Sequence, residues 1–127
     1  MPVPSSCPCG QGASYAACCQ PLHLGKTTAS TAEQLMRSRY TAFVMRDAAY
    51  LRRTWSVTTR PAALDFHFPD REWTGLEILD TTGGSPFHSE GTVEFRAHYT
   101  TNGRPGAQHE NSTFTREAGE WVYVAAL

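Results

Sequence analysis

No cysteine follows Cys19, so all thiol chemistry in this 127-residue chain is confined to its first 20 positions. No apolar run approaches the ~20 residues that a bilayer span needs. The opening Met1-Pro-Val-Pro-Ser-Ser-Cys7 lacks the basic residues and apolar stretch of a secretory signal. The expected location is therefore cytoplasmic, where thiols stay reduced and clustered cysteines more often bind metal than pair. Strong charge of one sign is also missing, with a formal net charge of −1 and a pI near 6.5. A nucleic-acid-binding domain usually carries a strongly basic footprint, and this chain does not. It has no internal repeat and no low-complexity tract. Its length suits one core and is too short for two full domains. Forty per cent apolar and 18 per cent charged residues describe a globular protein.

The residues that are present are unevenly placed. Cys7, Cys9, Cys18 and Cys19 form a C-x-C-x8-C-C pattern between Ser5 and Pro21. Zinc favours four tetrahedral ligands, and thiolate is its commonest partner in structural sites. Gly10 and Gly12 let the chain turn sharply after Cys9, and Cys18-Cys19 returns two more sulfurs from a short helical turn. Four protein ligands leave no position for water, so the expected Zn2+ is structural. Two alternatives compete: disulfides, which would be strained between such close neighbours, and free thiols clustered by accident. His23 stands near enough to replace a cysteine ligand, or is a solvated residue after the knuckle. Residues 1–28 have too little apolar surface to order themselves, and a bound metal would supply the missing folding energy.

A second unit is expected over 29–127. Ser30-Thr-Ala-Glu33 and Thr31-Ala-Glu-Gln34 are overlapping capping boxes that open a helix. Ala32, Met36, Tyr40, Phe43 and Val44 share its core face, with Arg39 beside them. Asp47 caps a second helix carrying Tyr50, Leu51, Thr54 and Trp55, and Pro61 opens a short third one through Leu64 and Phe66. After Trp73 the period falls to two. Val93, Phe95, Ala97 and Tyr99 alternate along one strand, with others at about 74–81, 107–116 and 120–126. Gly83-Gly84, Asn102-Gly103 and Ala118-Gly119 mark the turns. Helices followed by a run of strands imply an α+β fold, helices on one face of an antiparallel sheet.

Such a fold leaves a concave cavity, the ordinary place for a small ligand. Its expected polar groups are Arg39, Arg60, Glu110 and Ser112, supported by Tyr50 and Trp73. Phe114, Ser112 and Glu110 share the inward face of their strand, and Arg39 and Glu110 are expected to form a buried ion pair. No nucleophile–base constellation accompanies them, because Ser112 and His109 fall on opposite strand faces. That leans the reading away from an enzyme. His67, His88 and His98 are scattered, and Glu94 and His98 stand ~13 Å apart along a strand, too far to share a metal. Arg37, Arg39, Arg46, Arg52, Arg53 and Arg60 face only Glu33 and Asp47 within residues 30–60, while ten acids follow. The expected outcome is mutual neutralisation of basic helices and acidic sheet, which leaves nucleic acid the least supported partner.

Cys7-Pro-Cys-Gly-x-Gly-x-x-Tyr15-x-x-Cys18-Cys19 resembles the SEC-C motif, the zinc knuckle also found at the C-terminus of the SecA translocation ATPase. The continuation resembles the YchJ-like family of small bacterial proteins, through Thr31-Ala-Glu-Gln-Leu-Met-Arg-Ser-Arg-Tyr40, Tyr50-Leu-x-x-Thr-Trp55, Trp73-x-Gly-Leu-x-Ile78, Gly91-x-Val-Glu-Phe95, His109-Glu-x-Ser-x-Phe-x-Arg116 and Trp121-x-Tyr123. The resemblance implies four zinc-ligating cysteines and an NTF2-like cone of helices against a curved sheet, with no assigned activity. Gln11 and Ala13 depart from the commonest knuckle, which has serine and often a basic residue there. The missing basic residue counts against carrying over the SecA-tail roles in binding SecB and ribosomes. The leading expectation is a protein-interaction module that presents Pro8, Tyr15, Pro21 and Leu22 from its knuckle. A small-ligand binder or enzyme using the cavity is the alternative.

Overall fold

Two side-chain caps fix where the main helices begin. In a computed structural model describing residues 6–62 and 71–127, Thr31 Oγ1 accepts from the Gln34 N–H at 3.0 Å. Gln34 Oε1 reaches back to the Ser30 N–H at 2.7 Å. Between them they satisfy the amides that a helix start leaves open, and α2 runs Ala32–Met45. Asp47 Oδ1 accepts from the Tyr50 N–H and starts α3, Ala48–Arg53. A one-turn helix α1, Gln20–His23, precedes both. The expected third helix is not seen at its start, where Pro61 and Ala62 are non-helical. Leu64, Phe66 and His67 lie outside the described residues.

Four strands follow: β1 Arg71–Gly83, β2 Glu90–Thr101, β3 Arg104–Glu117 and β4 Glu120–Ala126. They form an antiparallel meander in the order β1-β2-β3-β4. Asn102-Gly103 and Ala118-Gly119 make two-residue connections, and all four residues have positive φ. That is the mirror-image turn whose twist matches paired strands. Val93, Phe95 and Ala97 are buried on the inner face, as the alternation requires. On the outer face Glu77 accepts from Arg96 and contacts His98, and Glu94 pairs with His109 at 2.7 Å.

The start of α2 meets the β1–β2 hairpin without side chains between them. Ala32 N–H donates to Gly84 O at 3.0 Å. A Cβ added at Gly84 (φ +72) would lie 2.8 Å from Ala32 Cβ, whereas one at Gly103 (φ +80) meets nothing within 4 Å. Both substitutions strain the backbone, but only Gly84→Ala also forces the helix away. We expect Gly84→Ala to cost about 2–3 kcal/mol and Gly103→Ala about 1 kcal/mol. Paired thermal melts check this, and equal losses would contradict it.

Helix α2 is buried nearly all round, with Leu35, Ser38, Thr41 and Ala42 each 1% exposed or less. The expected core face meets the sheet: Tyr40 and Phe43 lie against Trp73, ring centroids 6.2 and 6.4 Å apart. Its opposite face, carrying Arg37, Ser38 and Thr41, is covered by the cysteine segment. Strand β4 completes the core from the far end. Tyr123 N–H donates to Thr54 O, Ser56 N–H donates to Tyr123 O, and Trp121 Nε1 donates to Ser30 O.

Candidate metal centre and cavity

The cysteine segment folds through two tight turns. Gly10 N–H donates to Cys7 O at 3.1 Å, and Cys7 N–H to Ala13 O at 2.8 Å. Gly10 and Gly12 adopt φ of +82° and +95°, a region open to glycine at little steric cost. Ser14 then caps a 3-10 turn over Tyr15–Ala17, and Cys18-Cys19 stands between that turn and α1. The four Sγ atoms lie within 4.8 Å of one another. Cys9 and Cys18 approach to 3.5 Å, and Cys18 and Cys19 to 4.0 Å. A tetrahedron with metal–sulfur bonds of ~2.3 Å has edges of ~3.8 Å, so the cluster could hold a metal ion. All four are free thiols, which removes the disulfide alternative.

Crowded thiols oppose one another's ionisation when no cation sits among them. Hydrogen bonds from Cys19 and then Cys9 hold the Cys7 thiol far below its usual range. The hydrogen bond with Cys7 in turn pushes Cys19 far up. Cys18 is pushed up to about 12, by burial first and then by Cys9. A central divalent cation would remove this conflict, because each sulfur would then face positive charge.

The segment is bonded onto α2 rather than hung beside it. Arg37 Nη1 donates to Cys9 O at 2.7 Å while its Nε holds Glu33. Cys7 Sγ meets Thr41 Oγ1 at 3.7 Å. His23 is neither ligand nor solvated. Its Nε2 lies 2.9 Å from Ser38 O, a carbonyl that can only accept, so Nε2–H donates there and Nδ1 of the neutral ring accepts a hydrogen bond from Tyr15 O–H at 2.8 Å. Arg53 Nη2 donates to Leu22 O and His23 O at the C-terminal end of α1. These bonds turn Tyr15 (5% exposed) and Leu22 (2%) inward. The surface expected from Pro8, Tyr15, Pro21 and Leu22 therefore does not exist as a unit, because the two large anchors serve the fold.

On the other side of α2, a cavity of about 690 Å³ opens against the inner sheet face. Of the expected residues, Arg39, Glu110, Ser112 and Trp73 line it, joined by Trp55, Tyr123 and Gln108. Tyr50 and Arg60 do not. Tyr50 is buried behind α2, its OH 2.7 Å from Ser38 Oγ and its ring on His23. Arg60 turns back to donate to Trp55 O from Nε and Nη2. Gln108 was legible from the same parity that places Glu110 inward. Helical spacing puts Trp55 in the second helix, but the chain has left α3 by then and bridges to Tyr123.

The expected Arg39–Glu110 ion pair does not form. Arg39 Nη1 donates to Leu51 O at 2.8 Å and to Thr54 Oγ1 at 2.7 Å. Its guanidinium carbon lies 5.1 Å from the Trp55 ring centroid and 4.8 Å from that of Tyr123, in the corner where these two rings meet edge to face at 5.2 Å. The carbonyl end of α3 and two ring faces attract the cation locally. Glu110 instead accepts from Gln108 Nε2 at 2.8 Å and from Ser112 Oγ. Burial lowers the Arg39 pKa to about 10, which leaves it protonated near neutrality. Among the described residues Ser112 has no histidine on its face, since His109 points outward to Glu94. Of the basic residues in this half, Arg37, Arg39, Arg52, Arg53 and Arg60 all donate to backbone carbonyls.

Residues 31–126 match the family model of the YchJ middle NTF2-like domain. A UPF0225 protein of Streptomyces avermitilis is 59% identical over 123 residues, 97% of this chain and 84% of its own length. One from Streptomyces coelicolor is 58% identical over 124 residues, 98% of this chain and 95% of its own length. The solution structure of a SEC-C motif containing protein from Rhodopseudomonas palustris superimposes with a TM-score of 0.84 at 31% identity, covering 95% of this chain and 96% of that one. The crystal structure of another, from Psychrobacter arcticus, gives 0.77 at 30% identity, covering 93% and 79%. The architecture is thus NTF2-like, helices on a four-stranded antiparallel sheet, with a cysteine cluster at its N-terminal end.

Proposed function

Because this chain belongs to the YchJ-like family, whose fold and SEC-C cluster it carries, we propose that it is a small-ligand-binding protein braced by a structural zinc ion. The observation that carries the reading is the 690 Å³ cavity, within the size range of ordinary ligand sites and walled by Tyr40, Trp55, Trp73, Phe95 and Tyr123. Cys7, Cys9, Cys18 and Cys19 would hold the zinc, and four sulfurs leave it no open coordination position. The metal supports the helix that carries Arg39 and takes no part in chemistry. The knuckle (residues 1–28) and the body (29–127) would then act as one folding unit. No helix among the described residues is long and apolar enough to cross a membrane, and reduced cysteines suit the cytoplasm.

The test is native mass spectrometry of untagged protein with metal analysis. The expected result is one zinc per chain, together with a small molecule lost on denaturation. Protein that bound no zinc and no small molecule would contradict the reading. Zinc uptake at pH 7 should also release at least about two protons, because Cys18 and Cys19 hold theirs without metal. The affinity should therefore fall as pH falls. A pH indicator in weak buffer reads the release, and fewer than about one proton per ion would count against thiolate ligation at these two positions. A docking role is left to the exposed part of the knuckle, where Leu24 is 61% exposed. A Leu24→Glu variant that kept every co-purifying protein would dismiss that second reading.

A further inference from the structure

Arg39 is a buried cation with no anion paired to it among the described residues. It is 3% exposed and lines the cavity. Both of its hydrogen bonds leave from Nη1 and end on uncharged oxygens, Leu51 O and Thr54 Oγ1. Its Nε and Nη2 donate to no described residue. Taking a charge out of water is costly unless an opposite charge meets it, and ring faces offset only part of that cost. Beside it, the Trp55 indole N–H is buried and has no acceptor. Trp55 stacks on this same guanidinium. One side of the cavity therefore carries donors that lack an acceptor.

The opposite wall has the reverse character. Gln108, Glu110 and Ser112 follow one another at every second position of β3, and Gln108 and Ser112 both donate to Glu110. Tyr40, Phe43, Trp73 and Phe95 complete an apolar lining. A ligand suited to both walls has an acceptor-rich anionic end and a flat apolar body of roughly one or two rings. The charge of that anion is limited by the described lining as a whole, where Arg39, Arg46 and Arg71 stand against Glu72 and Glu110, a surplus of one positive charge. A dianion such as a phosphate monoester would exceed that surplus, whereas a single negative charge balances it.

We infer that the cavity binds a small aromatic monocarboxylate, its carboxylate on Arg39 and the Trp55 N–H and its ring between Trp55 and Trp73. The inference rests on the ligand-binding reading above and narrows it to one chemical class. A planar carboxylate matches the guanidinium edge, and hydrogen bonds between charged partners are about twice as strong as neutral ones. A site built around a buried charge also rejects the neutral analogue, which leaves that charge unpaired.

The test is calorimetric titration of the zinc-loaded full chain with phenylacetate and 3-phenylpropionate, their primary amides, and phenylphosphonate. Each acid should bind at least about tenfold more tightly than its amide, and more tightly than the phosphonate. In Arg39→Met the acid and amide should bind alike. In Trp55→Phe, which keeps the ring and removes the N–H, the acids should weaken several-fold and the amides less. The acid–amide comparison on unmodified protein stands even if Arg39→Met fails to fold. Equal affinity of acid and amide, or tighter phosphonate binding, would overturn the monocarboxylate assignment while leaving the cavity a binding site. No saturable binding by any of the five compounds would overturn both.

Discussion

Cys9→Ser protein is expected to melt roughly 10–20 °C below the unmodified chain and to lose its stoichiometric zinc. Cys9 is fully buried, and apart from the cysteines the buried apolar contacts of its cluster come from Tyr15 alone. Structural zinc contributes ~10–16 kcal/mol to the folding of isolated zinc peptides. In a chain with its own core a smaller part is at stake, about 3–5 kcal/mol for one lost ligand. The damage should not stop at the knuckle. Cys9 O receives the Arg37 guanidinium, and Cys7 lies against Thr41, so one face of α2 loses its cover. A single broad transition at lower temperature is therefore expected, read by calorimetry before and after chelation. A zinc-free protein with an unchanged melting midpoint would show that the cluster does not brace the fold.

Phe114→Ala should produce a comparable loss, about 3–5 kcal/mol, by a different route. Phe114 is 1% exposed and its ring packs edge-on to Tyr123 at 5.8 Å. Its strand partner is Gly91, which offers no side chain to fill the space left behind. In urea the midpoint should fall with an unchanged slope, because the surface exposed on unfolding is nearly the same. Zinc content should stay at one per chain, which separates this defect from that of Cys9→Ser. Phe87→Ser is the control, since Phe87 is 97% exposed and its loss should stay within about 0.5 kcal/mol. A Phe114→Ala loss below about 1 kcal/mol would mean that the core closes over the gap.

Periodicity made most of the architecture legible. Alternation located Val93, Phe95 and Ala97, and parity from Phe114 brought Ser112 and Glu110 to the inner wall. Turn pairs such as Asn102-Gly103 located the strand ends, because few residues other than glycine and asparagine accept positive φ. The capping box at Thr31 located α2. Partners were harder to read than faces. A helical wheel gives α2 one buried side, but this helix has two, and nothing in Ser38 or Thr41 announces that a knuckle covers them. Arg39 was placed correctly on the cavity side and wrongly matched to Glu110. Its real acceptors are the Leu51 carbonyl and the Thr54 hydroxyl, and a main-chain group such as the first leaves no trace in residue identity. Tyr15, Leu22 and His23 failed in the same way: their chemistry suited a surface, and only the fold of α1 against α2 shows that the first two are interior and the third is half-buried between them and Ser38.

The order in which the chain is made now matters. The knuckle and helices emerge from a ribosome first, yet Thr54, Ser56 and the carbonyl of Ser30 find their partners on β4, which is synthesised last. Each hairpin of the meander can close as soon as its two strands exist, whereas the helical half must wait for a seven-residue clasp from the far end of the polypeptide. A nascent chain arrested before Trp121 would thus carry a nearly finished sheet and unsecured helices. Protease sensitivity around residues 54–60 should vanish only once β4 has cleared the exit tunnel.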